Sequence, residues 1–109
     1  MRILLDECLP ARLRTELRGH VIQTVPGAGW DGVKNGRLLR LIAGSAAYDV
    51  FLTMDKNLPG EHKTADLPFA IVVLRARSNR FEDTRLLMPE VLRRLPDFRP
   101  GQVYFLAPP

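Results

Sequence analysis

Cysteine is almost absent. Cys8 stands alone among 109 residues, which excludes an internal disulfide and any cysteine-built zinc site, and fits a reducing compartment. Histidine is scarce too, and His20 and His62 show no metal-ligand spacing. No apolar run approaches the roughly 20 residues that span a bilayer. After one Arg the N-terminus enters a short strand-like run broken by acids, so no signal peptide is expected. The glycine-rich stretch 26–32 lacks G-x-G-x-x-G or Walker spacing, which excludes a nucleotide-cofactor loop. Acid is in the minority: 12 Asp and Glu against 16 Lys and Arg, mostly arginine, leave a net charge of +4. That modest excess is compatible with a nucleic-acid partner without requiring one.

What is present is an ordinary globular composition, 46% hydrophobic and 26% charged, enough for one domain over residues 1–109. No membrane association is expected, and the cytoplasm is the expected location. Ile3-Leu4-Leu5 stops at Asp6-Glu7. Around fifty residues later (Asp49 to Thr53) a second strand-like run, Val50-Phe51-Leu52, ends in Thr53-Met54-Asp55. Such short apolar runs read as interior strands of a parallel sheet, whose ligands bind beyond the carboxyl ends of the strands.

The rest of the chain supplies further elements. Leu9, Leu13 and Leu17 repeat at four-residue spacing after Pro10, predicting a helix closed by Gly19. His20 to Val25 alternates and predicts a strand. Leu38, Leu39, Leu41 and Ile42 form an amphipathic helix opened by Asn35-Gly36. Residues 56–66 read as a polar loop and Phe69 to Leu74 as a buried strand. Arg75 to Asp83 is polar and basic. Asp83 or Thr84 is placed to cap a helix carrying Leu86 to Leu95, and Gln102 to Leu106 reads as an edge strand. Strands alternating with helices in this way predict right-handed βαβ units, hence a three-layer α/β/α sandwich with a mainly parallel central sheet.

Two strands that end in acid aim Asp6 and Asp55 into one crevice, where they repel unless a hard cation such as Mg2+ or Mn2+ joins them. The plain alternative for each is a helix cap or turn. Glu7 either completes the metal shell or is a solvated first-turn acid. Asn57 either holds a metal-bound water or phosphate oxygen, or serves turn chemistry. Asn35 either caps its helix or faces the site. Asp49 precedes its strand and belongs at the opposite end of the sheet. Arg75, Arg77, Asn79 and Arg80 follow a buried strand and are placed to grip a phosphodiester backbone, or form a solvated loop. Lys56 neutralises developing charge or offsets the acids. Trp30 stacks on a base or plugs the edge of a core. Cys8, following two acids, is a poor nucleophile.

The run Ile3 to Pro10, the stretch Gly29-Trp30 with Lys34 to Leu39, the run Asp49 to Leu58 and Ser78-Asn79-Arg80 together resemble the small PIN-like proteins, relatives of the VapC-type toxins. The likeness extends from the N-terminus to about residue 95. It implies a Mg2+- or Mn2+-dependent ribonuclease, with Asp6 as the acid after the first strand and Asp55 as the acid of a T-x-D motif. It also implies an RNA substrate, a toxin paired with a small antitoxin protein, and a homodimer. Asn35 falls where many such proteins carry aspartate, which leaves a catalytically weak or inactive module binding RNA or protein as the alternative. A phosphatase or receiver-like module also places acids at strand ends. A receiver needs a lysine after a later strand, and arginines follow the third buried strand here.

Overall fold

The apolar runs become strands because their side chains are covered on both faces. A computed structural model describes residues 1–108 and shows five strands: β1 (Arg2–Leu5), β2 (Val21–Thr24), β3 (Val50–Thr53), β4 (Ala70–Leu74) and β5 (Val103–Leu106). They form one sheet in the order β2-β1-β3-β4-β5, with every pairing parallel. β3 and β4 are buried at every residue, as expected of strands sandwiched between helical layers.

One core lies on each face of the sheet. Ile3, Leu5, Val50, Leu52, Val72 and Leu74 project into the first, against Leu9, Leu13, Leu17 and the C-terminal helices. Leu4, Phe51, Ile71 and Val73 project into the second, against Leu38, Leu39, Ile42 and Leu58. The helices are α1 (Asn35–Ser45), α2 (Leu58–Glu61), α3 (Phe81–Thr84) and α4 (Met88–Arg94). The architecture is therefore α/β with helices on both faces of an all-parallel sheet. Among the described residues no helix is long and apolar enough to cross a membrane.

Several local expectations are corrected. The leucine-spaced segment after Pro10 is a 3-10 helix, Ala11–Glu16, closed by i to i+3 bonds such as Leu13 N–H to Pro10 O at 3.1 Å. Its short length between Pro10 and Gly19 (φ +85°) suits the tighter form. The spacing still buries Leu9, Leu13 and Leu17, worth about 1.5–3 kcal/mol each. The polar stretch 56–66 contains the single turn α2. α3 starts at Phe81 without a side-chain cap. Asp83 instead accepts from the Ser78 hydroxyl at 2.5 Å, and the Thr84 hydroxyl donates back to Arg80 O at 2.9 Å.

The handedness expectation also fails at one crossover. The connection from β1 to β2 packs on the first face, and those from β2 to β3 and β3 to β4 pack on the second, after the strand order reverses. These three share one hand. The connection from β4 to β5 continues outward yet packs its helices on the first face, so it has the opposite hand to the others. α3 and α4 gain the 3-10 segment as a packing partner there, with Arg12 stacked 4.1 Å over the Phe81 ring.

Candidate functional site

The strand order reverses between β1 and β3, because β2 lies on one side of β1 and β3 on the other. In open parallel sheets such a switch point leaves a crevice outside the carboxyl ends of the two strands, since their connections leave on opposite faces. Asp6 leaves the end of β1 and Asp55 lies just beyond β3, so the topology brings both acids to this crevice.

Asp6 keeps the ladder going for one more residue, its N–H donating to Leu52 O at 2.9 Å. The chain then turns, with Leu9 N–H donating back to Asp6 O at 2.9 Å. Asp6 is only 8% exposed. Its Oδ1 accepts from Glu7 N–H at 2.8 Å and its Oδ2 from the Thr53 hydroxyl at 2.6 Å. Burial pushes the Asp6 carboxyl above the usual carboxylate range, the Thr53 and Glu7 donors pull it partly back, and the Glu7 charge adds to the rise.

Thr53, the last residue of β3, is fully buried. Its hydroxyl gives its one proton to Asp6 and accepts Asp55 N–H at 3.1 Å. One oxygen thus ties both acid-bearing turns together. Asp55 Oδ1 accepts Asn57 N–H at 3.0 Å, and Oδ2 accepts Asn35 Nδ2–H at 2.7 Å. The cap reading of Asn35 is corrected: it is the first residue of α1, Lys34 is the N-cap, and no side chain caps the helix. From the first helical position Asn35 donates its amide N–H to the half-buried Asp55 carboxylate, a charge-assisted bond.

The other candidates separate into three groups. Glu7 is exposed, and its Oε2 accepts Gly32 N–H at 3.3 Å, tying the glycine-rich loop over the end of β1. Asn57 reaches Asp55 through its backbone N–H, and its side chain is exposed. Lys56 and Arg75 line a cleft of about 250 Å3 together with Met54, Leu74 and Ala76. Arg77 and Arg80 line a separate cavity of about 350 Å3 with Ser78, Glu82 and Asp83. Arg80 pairs there with Glu82 at 3.7 Å, and Asn79 is exposed.

The bland readings hold for several residues. Asp49 sits at the amino edge, accepting Arg2 N–H at 2.8 Å. Trp30 packs edge-on to Tyr48 at 6.2 Å, at the margin of the second core. Burial, and next the Asp6 charge, push the Cys8 thiol up, which keeps it protonated and unreactive. Thr53 is the participant that residue-level reasoning passed over as a strand residue. Its signal was present, because a hydroxyl on the last strand residue, two before an acid, is placed to bridge neighbouring turns.

Among the described residues no three His, Cys, Asp or Glu side chains gather closely enough to hold a metal ion. The donors available are two carboxylates with an adjoining amide, all hard oxygen chemistry. That set fits Mg2+ or Mn2+, which is commonly held by one or two carboxylates with water completing the shell. Each carboxylate oxygen described above accepts one hydrogen bond and keeps lone-pair capacity for a cation. Comparison with protein-family models, curated proteins and solved structures returns no match.

Proposed function

We propose that this crevice is the site of a divalent-cation-dependent ribonuclease of PIN-like type. The observation that carries the reading is the shared Thr53 hydroxyl, which locks Asp6 and the Asp55 turn together at the switch point. In this reading Asp6 and Asp55 hold the cation. When bound, it supplies Lewis acidity toward a phosphodiester and lowers the pKa of water. Thr53 fixes the Asp6 carboxylate, and Asn35 and Asn57 N–H fix the two oxygens of Asp55. Glu7 stands at the rim, and the Asn57 side chain orients water or phosphate. Lys56 and Arg75 bind the RNA backbone beside the acids, and Arg77, Asn79 and Arg80 extend the basic track. Cation and RNA are drawn to opposite signs of charge on one carboxyl edge. An antitoxin protein, a homodimer and a cytoplasmic location accompany the reading as implications of the resemblance.

The test is cleavage of single-stranded RNA with Mg2+ or Mn2+ by the wild-type protein and by Asp6→Asn and Asp55→Asn, with circular dichroism as a check on folding. Folded, inactive variants are expected, and full activity in either would remove the assignment. The absence of a three-acid group among the described residues favours a second reading, a module that binds RNA or protein without cutting. Calorimetric Mn2+ titration separates them, since a binding-only module shows no uptake that Asp55→Asn abolishes.

A further inference from the structure

Asn35 is followed by Gly36, and no other asparagine in the chain precedes a glycine. In Asn-Gly pairs the glycine nitrogen attacks the asparagine side-chain carbonyl, because no Cβ on the following residue hinders the approach. Three observations single out this pair. Asn35 opens α1, and Gly36, the second helical residue, belongs to the first turn, where backbone N–H groups lack intrahelical acceptors. Gly36 N–H makes no hydrogen bond among the described residues, whereas Gly32 N–H, after Asp31, is engaged by Glu7. Finally, the Asn35 amide nitrogen, the leaving group, lies 2.7 Å from Asp55 Oδ2 inside the proposed site.

We infer that Asn35 is a deamidation site whose reaction completes the cation shell. The inference rests on reading the crevice as a cation site. The Gly36 nitrogen loses its proton and bonds to Asn35 Cγ. The Cγ–Nδ2 bond breaks, ammonia leaves with that proton, and a succinimide remains. Water then opens the ring. Cleavage of the Cγ–N bond leaves an aspartate side chain on the original backbone, and cleavage at the main-chain carbonyl leaves isoaspartate. In the aspartate product the donor facing Asp55 becomes an acceptor, and two carboxylates stand within hydrogen-bond distance. They repel unless a proton or cation joins them. The amide state satisfies Asp55 internally, and the acid state demands a cation. The chain thereby ages from a weak cation site to a stronger one, since charge count raises affinity for hard cations.

The experiment incubates folded wild-type protein and Gly36→Ala in mildly alkaline buffer. Peptide mapping by mass spectrometry follows, and Mn2+ affinity is measured before and after. A methyl group at position 36 would meet the edge of the His62 ring at 3.3 Å, a contact that a rotating side chain relieves. The expected result is amide-to-acid conversion at Asn35 in the wild type, slowed at least tenfold in Gly36→Ala. Mn2+ affinity rises in aged wild type toward that of Asn35→Asp. No conversion at Asn35, or conversion without a change in affinity while Asn35→Asp binds Mn2+ more tightly than fresh wild type, overturns the inference alone. If Asn35→Asp takes up no Mn2+ that Asp55→Asn removes, the cation reading of the crevice falls and the inference falls with it.

Discussion

The Thr53 hydroxyl donates to Asp6 Oδ2 at 2.6 Å across the carboxyl ends of β3 and β1. The Glu7 N–H serves the other oxygen, Oδ1, and the Cys8 thiol adds a weaker donor to the same carboxylate. Thr53→Val keeps the β-branched shape and the packing but takes the hydroxyl donor from Asp6 Oδ2. The expected cost is about 1–3 kcal/mol, read from urea unfolding, with Thr53→Ser close to wild type. Equal stability of the valine and serine variants would show that this hydroxyl is not what holds Asp6.

Asp6 also sets a pH dependence. Burial raises its carboxyl above the ordinary value, so the folded chain keeps that proton to higher pH than the unfolded chain. Its contribution to stability is full below the unfolded value and is lost as pH rises through the folded one. In chelator-treated protein, Asp6→Asn is therefore expected to melt above wild type at neutral pH and to converge with it near about pH 4. Melting below wild type at neutral pH would mean that the hydrogen bonds outweigh the desolvation.

The sequence made the strands and the two acid-bearing turns legible because both are local signals: a buried run, then a carboxylate. Their adjacency is not local. The turns that carry Asp6 and Asp55 are joined through Thr53 because β1 and β3 pair, and that follows from a strand order no residue pattern encodes. Asn35 illustrates the same limit. An asparagine at a helix start is a cap by propensity, but here Lys34 takes the cap position, Asn35 is already helical, and its amide N–H donates to a carboxylate from a loop twenty residues later. Asp83 and Thr84 were likewise drawn from capping by Ser78 and Arg80 O. The opposite hand of the last crossover was invisible because the rule predicts the same hand for every crossover, and the face on which the 75–102 connection packs is set by tertiary contacts.

Asp49 supplies a control at the other end of the same strand. The Arg2 backbone N–H, aided by the Arg2 side chain, holds its carboxyl below the usual range. Stability from this contact is full above the unfolded value and is lost as pH falls through the lower folded one. Asp49→Asn should cost less than about 1 kcal/mol, the range of exposed pairs, and the difference should vanish in acid. RNA cleavage by the variant should match wild type, because the whole length of β3 separates Asp49 from Asp55. A variant that melts normally yet loses cleavage would contradict that separation.

Arg75 and Lys56 line one cleft with Met54, Leu74 and Ala76, whereas Arg80 is partly neutralised by Glu82. If the cleft carries RNA phosphates, the two residues act as point charges rather than as readers of sequence. Arg75→Ala should then weaken binding of single-stranded RNA about equally across sequences. It should also flatten the slope of log affinity against log salt by about 0.7, the value for one released counterion on a single strand. Lys56→Ala should do the same, and the double variant should lose about twice that slope. Arg80→Ala should change it less, because its charge is already shared with an acid. Filter binding over a salt series in a chelator reads all four variants without cleavage. An unchanged slope in Arg75→Ala would move the RNA path away from this cleft, whatever the two acids turn out to do.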